Sequence, residues 1–414
     1  MIPCRISNSE TKPLFSLGYL YASDFIPPNY NIETQKSELA LCFSEESKLV
    51  QLEQALPYNC LYGRYWYRSG TNQMMKDALK DVVVKGLSYC EVHLNDIWLD
   101  IASNDGTLLS FVPDFMIKIG IDPAEDSFHA EARKVCNDSI QNYFSAGVYK
   151  NGIYGDKKAK IISIIAMFYD LNDPCSFLKD IDTVMEDDGL LILQMSYTPL
   201  MVQQFAFDNI CHEHVCYYSM TSMKYLLEKM NFQIVDCELN DINGGSFRIY
   251  VKKKNASIYK FKTTPFRDVA NFRIMSLLNA EETNGFNTEQ RYIQFFEDIQ
   301  TLKSQTVAFI KEEHSKGKTI WAYGASTKGN TLLQWYGLDS TLIDAIAERS
   351  SYKWGLRTIG TNIPIYSEEE MRKKHPDYLL VLPWHFVEEF KIREKEYLNS
   401  GGKFIIPCPK FEVI

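Results

Sequence analysis

Residues 98–111 read WLDIASNDGTLLSF. An apolar run of strand character passes into a small, polar, glycine-bearing turn, after which a helix is expected. A turn of this kind frees backbone N–H groups and lets a ligand approach the main chain closely. The following strand, in IKIGIDPAE (residues 117–125), ends on Asp122, an acid placed to accept hydrogen bonds from ribose hydroxyls. Strands that end in this way make the α/β ligand crevice beyond the carboxyl edge of a sheet. G-x-G-x-x-G is absent, which argues against NAD, and so is G-x-x-x-x-G-K-[ST], which argues against ATP. S-adenosylmethionine fits the turn better, because it has no phosphate for a glycine-rich loop to cradle. A βαβ turn with no ligand is the competing reading.

Working outward, MMKDALKDVVVKGL from Met74 has helical spacing and leads into DIWLDIA, while AKIISIIAMF, GLLILQMSY and FQIVDCEL follow as further strands. NGGSFRIYVKKK (residues 243–254) reads as a closing strand, so the alternation implies a mostly parallel sheet covered on both faces. Residues 1–75 read as a small irregular domain, with LALCF and KLVQL as its strands. An acidic helical stretch, about 266–316, connects residues 76–255 to a second alternation in KTIWAYGAS, LIDAIAERS, DYLLVLPW and KFIIPCP. The expected organisation is three units, 1–75, 76–255 and 256–414, all within an α/β class.

The 414 residues suffice for two or three cores. With 44 Lys and Arg against 53 Asp and Glu, the net charge of −9 argues against a nucleic-acid surface. No run of about 18 apolar residues offers a membrane span, and the N-terminus lacks an apolar signal-peptide core. A cytoplasmic protein, a monomer or small homo-oligomer, is expected. The ten cysteines form no C-x-x-C pair, which suits reduced, mostly buried thiols.

DNICHEHVCYYS (residues 208–219) packs His212, Glu213 and His214 together. Histidine exchanges protons near neutral pH and a carboxylate tunes it, so the run reads as a proton-handling site. A pair of metal ligands or two structural histidines are the alternatives. GASTKGNTLL (residues 324–333) stands where a strand passes into a helix, so its N–H groups and Lys328 are candidates to hold a diphosphate, with Lys353 as a second cation. The alternative there is a Rossmann unit kept only for packing.

The segments GRYWYRSGTNQMM, LDIASNDGTLL, GIDP, DNICHEHVCYYS, NDINGGSFR, YGASTKGNTLLQ and YLLVLPWHF, in this order, resemble the sugar C-methyltransferases that act on nucleotide-linked deoxysugars. The resemblance spans nearly the whole chain. It implies a small N-terminal, usually zinc-binding domain, a central class I methyltransferase domain and a C-terminal Rossmann-like domain. It assigns Ser103, Asn104, Asp105 and Gly106 to the methionine and adenosine side of the donor, Asp122 to its ribose and Gln194 to the pocket floor, with Tyr67 and Ser69 closing over it. His214 matches the family's general base and Glu213 its polar partner, with His212 beside them. Asn243, Gly244, Ser246, Lys328, Asn330 and Lys353 would bind a dTDP- or GDP-linked 4-keto-6-deoxyhexose, methylated at C-3 with C-5 as the competing carbon. Methyl transfer to oxygen or nitrogen, or nucleotide-sugar binding without catalysis, are the rival functions. The chain departs from the family twice. Cys211 stands where many relatives have Tyr, and Ser7, Ser44 and Ser47 accompany Cys4 where two C-x-x-C pairs usually hold zinc. Neutral serine is a poor zinc ligand, so zinc is not expected.

Overall fold

The computed structural model describes residues 2–30, 35–61, 68–256 and 267–414. Near the N-terminus, β1 (Lys12–Leu20), β2 (Phe25–Ile26), β3 (Ser37–Phe43) and β4 (Val50–Leu52) are short strands. β1, β3 and β4 form an antiparallel sheet. The region reads as irregular because β1 changes register twice, between Pro13 and Phe15 and between Ser16 and Tyr19, and Gly18 has φ +88°. Each shift moves side chains to the opposite face, which erases the period of two.

Helix Gln73–Tyr89 opens the central domain, its first turn capped by the Asn72 side chain accepting from Met74 N–H. It lies close on the sheet because Gly86 has no Cβ; one there would sit 2.7 Å from Ile192 Cδ1. β5 (Ile97–Ile101), β6 (Ile117–Asp122), β7 (Asp138–Gln141), β8 (Ala159–Ile165) and β9 (Met185–Ser196) then run parallel. Every residue of β5 and β6 is buried, as expected of strands covered on both faces. Each buried Ile or Leu among them contributes about 1.5–3 kcal/mol of transfer free energy. The helix expected after the 103–106 turn is absent. Only a one-turn 3-10 segment, Leu109–Phe111, forms, and Pro113, without an N–H, stops its growth.

Next comes β10 (Cys216–Tyr217), which joins the N-terminal sheet by pairing with β4, giving the order β1-β3-β4-β10. β11 (Phe232–Asn240) and β12 (Ser246–Lys253) return antiparallel, completing a seven-stranded sheet of order β11-β12-β9-β8-β5-β6-β7. Helices Arg267–Thr283 and Glu289–Ser315 occupy the predicted helical connection. The last domain holds β13 (Ile320–Tyr323), β14 (Ala345–Glu348), β15 (Arg357–Thr358), β16 (Ile365–Ser367), β17 (Tyr378–Val381), β18 (Lys403–Ile406) and β19 (Glu412–Val413). Its sheet, β16-β14-β13-β17-β18-β19, is parallel up to the last antiparallel pair. β15 pairs with β2, tying this domain to the N-terminal one. The chain is thus an α/β protein with an N-terminal antiparallel sheet, a central seven-stranded α/β domain and a C-terminal parallel α/β domain. No helix among the described residues is long and apolar enough to cross a membrane.

Candidate active site

The turn after β5 carries unusual backbone. Ala102 (φ +60°) and Asn104 (φ +52°) are left-handed, and so is Gly106 (φ +79°). Non-glycine residues hold such conformations only where their surroundings impose them. Here Asp122 imposes part of it: its two oxygens accept from Asn104 N–H at 2.8 Å and Ala124 N–H at 2.7 Å. A Cβ on Gly106 would lie 2.9 Å from Ala132 Cα, so only glycine fits. Asn104 Oδ1 accepts from Ser69 N–H at 3.1 Å and Asp105 Oδ2 from Gly70 N–H at 2.9 Å, so this turn also fastens the segment that precedes helix Gln73–Tyr89.

Beside the turn is a cavity of about 610 Å³ whose walls include Ser69, Ser103, Asn104, Asp122, Gln194 and Ser246. Five of these were expected at the donor and Ser246 at the substrate, and the fold brings all six to one cavity, while Asp105 and Gly106 stand behind the wall, shaping the turn. Tyr67 lies outside the described residues. Gln194 Oε1 is taken by Arg248 Nε at 2.7 Å and by Asn240 Nδ2 at 3.3 Å. Ser103 Oγ is buried with no hydrogen-bond partner among the described residues, an open polar position for a ligand. Burial raises the Asp122 carboxyl, and it pushes Asp100, which accepts from Ser163 Oγ at 2.6 Å, up to about 7. Asp100, Tyr58, Tyr143 and Phe144 also face this space. A cavity with polar groups around apolar walls fits the expected nucleoside donor. The aromatic lining escaped sequence reading because it comes from scattered positions with no motif.

The HEH run divides its labour. His214 Nδ1 lies 2.9 Å from the main-chain oxygen of Asn209. A carbonyl only accepts, so Nδ1 carries the proton, and Nε2 presents its lone pair with no hydrogen-bond partner among the described residues. The ring packs on Tyr169, centroids 4.2 Å apart, next to Asp170 and Leu171 of the cavity wall. Burial, reinforced by the charge of Lys328, pushes the His214 imidazole down to about 3, so it is neutral at working pH. His212 turns elsewhere: its Nε2 donates to Ser37 O at 3.2 Å, in β3, and its ring is buried. Burial raises Glu213, whose Oε2 is buried without a hydrogen-bond partner among the described residues. Cys211 is buried with its thiol held well above the ordinary range, which makes it a packing residue at this pH.

Lys328 is not set among the N–H groups of its own turn. It reaches across to the HEH loop, and its Nζ donates to Asn209 Oδ1 at 2.5 Å. Asn330 Nδ2 donates to Asp24 O at 2.9 Å, while Lys353 Nζ donates to Ala325 O at 2.7 Å and lies over the Phe25 ring. Both are turned toward the N-terminal domain. Ser246 Oγ donates to Ile242 O at 2.8 Å, and Gly244 (φ +82°) faces His385, 3.9 Å from where its Cβ would be. The Asn243 side chain lies outside the described set. Asn209 and His385 went unnoticed in the sequence, the first because an isolated Asn carries no signal, the second because its partners come from distant segments.

In the N-terminal domain, Cys4 Sγ lies 3.2 Å from Ser47 Oγ, and Ser44 Oγ is 3.4 Å from Ser7 Oγ and 3.1 Å from Ser9 Oγ. The four positions that would hold zinc do converge, but three offer hydroxyls. No group of three or more His, Cys, Asp or Glu among the described residues has the geometry of a metal site. These residues do not fit zinc.

Residues 77–236 match the model of a methyltransferase domain and residues 241–409 that of a C-methyltransferase C-terminal domain. The C-methyltransferase NovU of Streptomyces niveus is 27% identical over 374 residues, covering 88% of this chain and 85% of that protein. Among solved structures, the plantazolicin methyltransferase BpumL in complex with SAH aligns with a TM-score of 0.34 and 12% identity, over 43% of this chain and 83% of its own. The N-methyltransferase NodS from Bradyrhizobium japonicum aligns with a TM-score of 0.34 and 11% identity, over 44% of this chain and 98% of its own.

Proposed function

The chain belongs to the S-adenosylmethionine-dependent C-methyltransferases, and from that premise we propose that it methylates a carbon alpha to the ketone of a nucleotide-linked 4-keto-6-deoxyhexose, at C-3. Carbon becomes a nucleophile only when a neighbouring carbonyl accepts the electron pair left by a departing proton, so the reaction needs a base that is unprotonated and aimed. The tautomer of His214 is the observation that carries this reading: Nδ1–H is committed to Asn209 O, and Nε2 has no hydrogen-bond partner among the described residues.

His214 Nε2 takes the alpha proton, and the Asn209 carbonyl then receives a charge-assisted bond from the imidazolium it faces. Base catalysis of this kind contributes about 10²–10⁴-fold. Ser103, Asn104, Asp122 and Gln194 hold the donor, backed by Asp105 and Gly106, with Ser69 and Tyr67 closing over it. When bound, S-adenosylmethionine supplies a methyl group on a sulfonium sulfur, which the enolate carbon takes while the C–S electron pair stays on sulfur. Glu213 offers its unpartnered oxygen to a sugar hydroxyl or amine. The Asn243–Ser246 turn, Asn330 and Lys353 bound the substrate side, and His212 anchors the HEH loop to the N-terminal sheet.

Incubating the enzyme and donor with a 4-keto nucleotide sugar in D₂O tests the reaction class. Deuterium entering alpha to the ketone, with a new C-methyl resonance at C-3, is expected. An O-methyl product without deuterium would remove carbon methylation, and a methyl at C-5 would move the site of attack.

A further inference from the structure

Resting on that reading, we propose that Lys328, brought in by the C-terminal domain and held on Asn209, is the cation that receives the enolate oxygen of the substrate. A ketone oxygen and its alpha carbon are two bonds apart, so the base for one and the counter-charge for the other must be neighbours. Asn209 makes them neighbours. Its main-chain oxygen takes His214 Nδ1 at 2.9 Å, and its side-chain oxygen takes Lys328 Nζ at 2.5 Å. Asn209 is itself fixed, its Nδ2 donating to Ala206 O at 3.0 Å.

An ammonium has three N–H bonds. Among the described residues the Lys328 ammonium spends one, on Asn209, which leaves donors for a ligand oxygen. Burial pushes the Lys328 ammonium below its ordinary value, Asp208 on the HEH loop opposes that fall, and the charge is felt at the imidazoles of His214 and His385. Burial first, and the Lys328 charge second, push both imidazoles down to about 3. Gly244, on the substrate side, faces the same His385.

The step balances. The alpha C–H bond breaks, its proton goes to His214 Nε2, its electron pair becomes the enolate C=C bond, and the carbonyl pair moves onto oxygen, where the Lys328 N–H donors meet it. The charge that weakens His214 as a base therefore stabilises the oxyanion that the same proton loss creates, in a site poor in water. This role accounts for a lysine on the GASTKGN turn that leaves its own helix N-terminus and crosses to another domain.

Alpha-deuterium exchange into a dTDP-linked 4-keto-6-deoxyhexose, measured without methyl donor, is the test. Lys328→Met is expected to slow exchange by about 10²–10³-fold with KM little changed, and Lys328→Arg to recover part of it. In ¹⁵N-histidine NMR without substrate, Lys328→Glu should make His214 easier to protonate between about pH 5 and 8. A slower enzyme with a more basic His214 is a pairing that mere structural damage would not produce. Should Lys328→Met lower the thermal midpoint, Asn209→Ser, which keeps the main-chain oxygen and frees the lysine, gives the same reading in milder form. Exchange in Lys328→Met within about threefold of wild type, or a His214 titration indifferent to residue 328, would overturn the proposal. Wild-type enzyme that exchanges no deuterium would instead bring down the carbon-acid reading on which it rests.

Discussion

A neutral imidazole with a committed Nδ1–H is ready to accept a proton at any pH a cell offers. Because His214 gains its proton only as pH falls toward about 3, the base proposed above is expected throughout the range above that, with no acid limb from this residue above about pH 5. His214→Asn should lower kcat by at least about a hundredfold while calorimetry shows unchanged S-adenosylhomocysteine binding; near-normal turnover would take the base away. Asp100 behaves in the opposite sense. Its folded carboxyl titrates at about 7, above the unfolded value, so the folded state holds the proton more tightly and stability falls as pH rises through that interval. Asp100→Asn should flatten the decline of Tm between about pH 5 and 7.5, and an unchanged slope would show that other groups cause it. At this scale the sequence declared residue types well: the imidazoles and the carboxylate were visible in three adjacent letters. Their partners were not, since Asn209 and Lys328 are 119 positions apart and no local pattern joins them.

Among the elements, the turn after β5 is the most demanding. Gly106→Ala would place a Cβ 2.9 Å from Ala132 Cα at φ +79°, and a loss of at least about 1 kcal/mol is expected in urea unfolding, together with weaker donor binding. Unfolding that matches wild type would mean that the turn relaxes freely. The cluster of Cys4, Ser7, Ser44 and Ser47 makes a separate forecast. With hydroxyl hydrogen bonds doing the joining, a chelator should leave Tm unchanged, whereas Ser7→Cys with Ser44→Cys and Ser47→Cys should acquire zinc at one ion per chain by elemental analysis. A wild-type Tm that drops with chelator would overturn this. Most strands of the two α/β sheets were legible as nearly continuous apolar runs, but β7, a polar DSIQ, and β16 and β19, three and two residues long, were not. β1 was hidden by its two register shifts, and β10, β2 and β15, two residues each, are too short to carry any period.

In the whole molecule, three domains could be read from the changes of pattern along the chain, but their interweaving could not, because it rests on pairings between remote segments. β2 pairs with β15, β4 with β10, and His212 with Ser37, so the N-terminal domain is bonded to both other domains. A chain lacking residues 2–57 is therefore expected to lose cooperative unfolding by circular dichroism, since β10 and the buried His212 would face water. A truncated chain that melts as sharply as the intact one would show the N-terminal domain to be an appendage.

The lending of β10 to that sheet has a consequence for how reactants would get in. The loop that carries His214 ends, two residues further on, in a strand riveted to a different domain, so prising that domain away would carry the imidazole off with it. On the function proposed above, reactants are expected to enter by a route that leaves this seam shut, and a molecule sprung open along it is expected to be idle for that interval.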